Sequence, residues 1–260
     1  MPAYLIFILL IIIAILLLLY IHATKSSLRV LMYHKVDAEK KDRLTVTAAQ
    51  LNEQLNWLKK KNYSIISFKE FKELEKEKKK GRFVILTFDD AYENNLQYAL
   101  TILETTKTKA TIFIPTAFIG KINEWDKGSE KIMTAAQLQQ LPADIIEFGL
   151  HTHTHKSFKH CSSEEIEREM QQSIETLHAN NIPYAPVFAY AYGAFPKQED
   201  KQQSMFRIFT NLGISYALRI GNNINYLPIK NNFLIRRIDI RGTDSFFIFK
   251  MKVLFGKICL

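Results

Sequence analysis

Two adjacent carboxylates, Asp89 and Asp90, directly follow the apolar run FVILTF at residues 83–88, and His151-Thr-His153-Thr-His155 follows IIEFGL at 145–150. Histidines four apart share one face of a helical turn, so His151 and His155 can reach one ion together with the Asp90 carboxylate. Two histidines and one carboxylate leave coordination positions for water and substrate, and the ion would acidify that water and polarise a carbonyl. If the segment instead stays extended, His153 pairs with His151 or with His155, because residues i and i+2 share a face. Neighbouring side chains on an extended stretch point apart, so one aspartate can hold metal while the other acts on the water; Asp89 is therefore the candidate general base. An Asp-Asp pair standing alone would more simply cap the next helix. Two more strand ends contribute: His34 follows LRVLMY at 28–33, and Tyr192 follows VFAY at 187–190.

These residues meet only if the apolar runs are strands pointing the same way. Strands are expected at 28–33, 64–67, 83–88, 110–115, 145–150, 187–190, 215–218 and 233–240. Amphipathic helices are expected between them at 47–60, 68–80, 94–105, 134–140, 162–180 and 198–212. Thr47 and Ser162 are the expected N-caps at 47 and 162, the latter opening SSEE. Alternating strands and helices predict parallel βαβ units, closed as a barrel or open as a doubly wound sheet, with ligands at the carboxyl ends of the strands.

With those residues in view, the chain resembles the polysaccharide deacetylases of carbohydrate esterase family four. TFDDA at 87–91 is similar to their TFDDG signature, HTHTH at 151–155 to H-[ST]-x-x-H, and AYAYG at 189–193 to R-x-P-Y-G, across roughly residues 28–240. The resemblance implies a distorted (β/α)7 barrel with Asp90, His151 and His155 as metal ligands, usually for zinc, and Asp89 as base. The backbone N–H of Tyr192 would stabilise the oxyanion. VLMYHKV at 30–36 further resembles the opening of deacetylases acting on poly-β-1,6-N-acetylglucosamine, whose motif order is similar to a circular permutation; this makes His34 the candidate general acid. No tryptophan and no Leu-x-Ile-His follows residue 200, in keeping with that order or else with weak activity. Three departures stand out. Ala91 replaces a glycine, so its turn must avoid positive φ or accept strain. Ala191 replaces a proline, and Ala189 replaces the arginine that elsewhere pairs with the base. Arg236, Arg237 and Arg241 in LIRRIDIRG are candidate substitutes; Arg237 and Asp239 point the same way on an extended strand.

Residues 4–21, YLIFILLIIIAILLLLYI, are eighteen apolar residues without charge or helix breaker, bracketed by Tyr4 and Tyr20. That length nearly spans the hydrocarbon core, and the segment lacks the basic start and small-residue cleavage site of a signal peptide, so residues 1–24 are expected to be an uncleaved single-pass membrane anchor. Residues 25–260 are then one catalytic domain. Lys25 and Arg29 follow the span with nothing basic before it but the α-amino group, an order that favours a cytoplasmic domain. The polymer chemistry argues for an extracytoplasmic one.

The net charge of +9 suits a lysine-rich surface or an anionic lipid or polymer partner. The densest run, EKEKKKGR at 75–82, interleaves glutamates and reads as a solvated helix end rather than a phosphate-binding stripe, so nucleic acid is not expected as a partner. Cys161 and Cys259 have no metal-ligand spacing and make no disulfide framework. Residues 246–260, apolar with three lysines, are either a closing core helix or an amphipathic segment on the membrane. The expected activity is hydrolysis of N-acetyl groups from an N-acetylglucosamine polysaccharide. The alternatives are peptidoglycan or chitooligosaccharide as substrate, which groove residues such as Trp125 and Tyr92 would decide, or a sugar-binding pseudoenzyme of the same fold.

Overall fold

Apolar runs without alternation suit parallel strands covered on both faces. The computed structural model describes residues 2, 4–8, 10, 11, 13 and 25–256. In chain order the strands are β1 (Ser27–Tyr33), β2 (Lys35–Asp37), β3 (Thr45–Thr47), β4 (Ser64–Ile65), β5 (Arg82–Phe88), β6 (Ala110–Ile114), β7 (Ile146–Leu150), β8 (Val187–Ala189), β9 (Tyr216–Ile220), β10 (Asn225–Tyr226) and β11 (Ile235–Asp239). The helices are α1 (Ala48–Lys60), α2 (Phe68–Lys76), α3 (Leu100–Thr105), α4 (Ala135–Gln139), α5 (Ser163–Ala179), α6 (Glu199–Asn211) and α7 (Phe246–Phe255).

Seven parallel strands run β1-β5-β6-β7-β8-β9-β11, and β11 pairs back onto β1, so the sheet closes. The expected seven-stranded barrel is therefore present, and the open-sheet alternative is not. β4 and β10 extend the two edges flanking β1 and β5 near the strand starts. Closure fixes which alternate residues face inward. Along β5 these are Ile85 and Thr87, then Asp89; along β11, Ile235, Arg237 and Asp239; along β7, Glu147 and Gly149, then His151. Gly149 is needed: a Cβ there would sit 2.4 Å from the buried Phe113 ring. At the opposite end, Glu147 accepts from the Phe68 and Lys69 N–H groups, so α2 plugs the base of the barrel with Phe68 and Phe71.

Capping fixes helix starts, at Thr47 and Ser162 as expected and also at Ser67 and Thr134. Thr47, Ser67, Thr134 and Ser162 all form capping boxes. Two helices differ from expectation. α2 stops at Lys76 rather than Lys80, because Lys78 turns left-handed (φ 50°) and Lys79 N–H returns to the Leu74 carbonyl, a Schellman closure. The stretch before α3 opens as a π-turn over Asn95–Ala99. α7 is the closing helix, with Phe246 and Phe249 against Trp57 of α1; residues 257–260, including Cys259, lie outside the described residues. Cys161 is a free, buried thiol. The expected anchor at 4–21 also lies largely outside the described residues. Those of its residues that are described, such as Phe7, Leu10 and Ile13, are helical and exposed. Among the described residues no helix is long and apolar enough to cross a membrane.

Candidate active site

The carboxyl ends of β1, β5, β7, β8 and β11 bring His34, Asp89, Asp90, His151, His155, Tyr192 and Arg237 to one rim. Asp90 Oδ1 lies 3.4 Å from His151 Nε2 and 3.1 Å from His155 Nε2, and all three side chains are buried. Edges of about 3.3 Å are what a tetrahedral ion with bonds of about 2.0–2.1 Å requires. Asp90 Oδ1, buried at the centre of this group, makes no hydrogen bond. His151 Nδ1 lies 2.8 Å from the Ala189 carbonyl; donating there leaves Nε2 a free lone pair toward Asp90. The residues thus fit a divalent ion. His153 is not part of the group: its Nδ1 meets Thr116 Oγ1 at 2.9 Å, on the far side of the loop.

Electrostatics agree with a cation at this place. Burial lowers the affinity of His151 for a proton, yet Asp89 and Asp90 outweigh it and hold its pKa above the ordinary histidine value. The Asp90 carboxyl is opposed by burial but held well below its usual range by His155 and His151. The same carboxylates that favour a proton on His151 favour a metal ion there.

Asp89 sits beside the ion site with Oδ2 3.9 Å from both His151 Nε2 and His34 Nε2. Arg237 donates to both of its oxygens, Nη1 to Oδ1 at 2.5 Å and Nη2 to Oδ2 at 2.8 Å. Burial pushes the Asp89 carboxyl up, but Arg237, then His151 and His34, hold it below the usual carboxylate range. Of the three arginines considered, Arg237 therefore fills the place opened by Ala189. Arg241 pairs instead with Asp239 Oδ2 at 2.7 Å, and Arg236 is exposed.

The rim carries backbone strain. Asp90 (φ 72°), Ala91 (54°), Thr152 (65°), His155 (56°) and Tyr192 (57°) are all left-handed without being glycine. Ala91 therefore accepts the strain that a glycine would avoid, at a cost of roughly 1 kcal/mol or more. Two residues that sequence reasoning missed offset this. Glu169 of α5 accepts from His153 N–H, Thr154 N–H and Thr154 Oγ1 at 2.7–2.9 Å, clamping the histidine loop. Asn95, in the π-turn, donates from Nδ2 to the His34 carbonyl at 2.8 Å.

Aromatic residues wall the ion site. Trp125 stacks on the His155 ring at 4.5 Å, and Tyr192, half exposed, meets the same ring edge-on at 4.7 Å. Burial, with Asp126 and Asp90 nearby, pushes the Tyr192 phenol up to about 12. Tyr92 is buried behind Trp125 and takes a bond from Asn123.

The sequence model of the polysaccharide deacetylase family matches residues 76–208. YxkH of Bacillus subtilis is 25% identical over 175 residues, covering 66% of this chain and 59% of that protein, so this chain spans less than two thirds of its length. Poly-beta-1,6-N-acetyl-D-glucosamine N-deacetylase of Staphylococcus aureus is 28% identical over 216 residues, 78% of this chain and 69% of that one. Among solved structures, IcaB from Ammonifex degensii superposes with a TM-score of 0.74 at 17% identity, over 88% of this chain and 97% of that one. Streptococcus pyogenes deacetylase PplD, in complex with acetate, gives 0.73 at 20% identity over 88% and 99%. Given a closed seven-stranded barrel, an Asp-His-His group at its rim and a family match over half its length, the chain belongs to the polysaccharide deacetylase family.

Proposed function

We propose that the chain hydrolyses N-acetyl groups of an N-acetylglucosamine polysaccharide and releases acetate. The observation that carries this is the buried convergence of Asp90, His151 and His155 beside an Asp89 carboxylate held by Arg237. A divalent ion held by Asp90, His151 and His155, of which zinc suits the nitrogen-rich set, would supply a Lewis acid that acidifies water and polarises the amide carbonyl. Asp89, kept ionised and aimed by Arg237, takes the proton from the attacking water. The Tyr192 N–H donates to the carbonyl oxygen as it gains charge. His34, reaching the same space from β1, gives a proton to the departing nitrogen.

The likeness to a poly-β-1,6-N-acetylglucosamine deacetylase favours that polymer over peptidoglycan or chitooligosaccharides. Residues 4–21 serve in this reading as a membrane anchor that keeps the barrel outside the cytoplasm, where such polymers lie; the exposed apolar side chains of Phe7, Leu10 and Ile13 support it. The test is acetate release from poly-N-acetylglucosamine, chitin oligomers and peptidoglycan, with and without chelator. Release from the first, abolished by chelator and by Asp89→Asn, is expected. Full activity in Asp89→Asn removes the assigned base, and no release from any polymer by metal-loaded protein favours the sugar-binding pseudoenzyme.

A further inference from the structure

Positive charge gathers at the base of the barrel, where residue 25 leads into β1, and outnumbers the carboxylates beside it. Two helix ends lie there. α1 closes at Lys61 and Asn62, and α2 closes at Glu77 and Lys78, each by a Schellman turn. Arg82, at the start of β5, donates to the Lys61 carbonyl and so ties the α1 turn to that strand. Gly81, between Lys80 and Arg82, accepts from Ser27 N–H at 3.0 Å and donates to Ser26 Oγ at 2.9 Å. The loop from α2 into β5 thus adjoins the residues that follow the apolar stretch 4–21, and the α1 turn meets the same loop through Arg82.

Lys25, Lys60, Lys61, Lys78, Lys79 and Lys80 are all exposed, with Arg82 half-buried beside them. Four lysines elsewhere pair closely with carboxylates, Lys35 with Glu130, Lys109 with Glu70, Lys156 with Glu165 and Lys252 with Asp244, at 2.5–3.0 Å; what sets the collar apart is the crowding of its cations beside residues 25–27. In this collar, among the described residues, only Lys79 has a carboxylate within reach, Glu77 at 3.6 Å. The helix dipole accounts for Lys60 in the last turn of α1, but Lys25, Lys78, Lys79 and Lys80 lie outside any helix. Like charges left uncompensated repel one another unless an anionic partner covers them. The collar lies at the starts of β1 and β5, and the ion-binding group at their ends, roughly 20 Å away for a strand of this length.

We propose that this basic collar seats on anionic lipid headgroups of the membrane that residues 4–21 enter, holding the catalytic rim away from the bilayer and toward the polymer. The inference rests on the anchor reading above. It also gives Lys25 a role other than marking a cytoplasmic flank.

The test places the full chain in lipid nanodiscs of phosphatidylcholine with or without phosphatidylglycerol. Lysines are acetylated with a water-soluble ester and counted by mass spectrometry. Expected is a several-fold drop in acetylation of Lys60, Lys61, Lys78, Lys79 and Lys80 in the anionic discs, reversed by high salt, with Lys131 near the rim unchanged. In a variant with Lys78→Glu, Lys79→Glu and Lys80→Glu, the protection of Lys60 and Lys61 falls away. Equal acetylation in both discs by inserted protein overturns the proposal while sparing the anchor. Protection by soluble polyglycerol phosphate in neutral discs assigns the collar to a cell-wall polymer and overturns it too. A chain that enters neither disc overturns the anchor reading and this inference together.

Discussion

Replacing Arg237 by methionine isolates the electrostatic claim at the centre of the site. Arg237 is 1% exposed and Asp89 3%, and the pair is joined by two bonds of 2.5 and 2.8 Å. Without the guanidinium, Asp89 keeps only His151 and His34 at 3.9 Å, which help only when protonated. A buried carboxylate stripped of its partner costs about 3–5 kcal/mol, but the group can escape by taking a proton. For an ordinary carboxyl that escape costs about 4 kcal/mol at pH 7, so the loss is about 3–4 kcal/mol, or a fall in Tm of about 6–16 °C for a domain of this size. The sign follows from the shifts. In the native protein the Asp89 pKa is depressed, so its contribution is present above the unfolded pKa and lost as pH falls through the folded one. In Arg237→Met burial dominates, the folded pKa is raised, and stability is lost as pH rises. The Tm gap between the two proteins therefore shrinks as pH falls from 7 to 4. Melting curves of the full chain in detergent, with chelator present to remove ligand linkage, measure this. Adding Asp89→Asn to Arg237→Met restores much of the loss, because no charge is then buried alone. A gap that does not change with pH, or a double variant no more stable than Arg237→Met, would refute the reasoning.

Other variants address the supports. Glu169→Ala unclamps the histidine loop and weakens ion affinity roughly 10–100-fold by metal titration, whereas Glu169→Gln, whose amide can serve the same three partners, stays within a few-fold of native; equal losses in both would make the charge rather than the geometry decisive. Asn95→Ala frees the His34 carbonyl and lowers kcat with little change in ion affinity, which parallel acetate-release and titration assays separate. Thr47→Ala removes the α1 capping box and costs about 1 kcal/mol, a Tm loss of about 2–4 °C with unchanged acetate release.

Much of the architecture was legible because parallel barrel strands are apolar throughout. FVILTF and IIEFGL announced both themselves and the residues after them. The ion-binding group was legible from spacing, though the choice between His153 and His155 needed the loop, whose left-handed residues 152 and 155 turn His155 inward. Choosing among three arginines required the closure of the barrel: Arg237 faces Asp89 because β11 pairs with β1 in the register Met32 to Asp239. Glu169 gave no signal, since it occupies an ordinary amphipathic helix and acts only through how α5 packs on the loop. β1 with His34, and β11 with Arg237, lie outside the stretch that the family model matches, so the barrel and not local similarity unites them with the rest. The early end of α2 was hidden because lysine, not glycine, takes the left-handed position at 78.

The central claim is that Asp90, His151 and His155 grip one ion, and counting metal in purified variants tests it most directly. Elemental analysis of the full chain should find about one divalent ion per molecule in the native protein and in His153→Ala, and almost none in His151→Ala or His155→Ala. An ion retained equally in all four proteins, or lost only in His153→Ala, would contradict it.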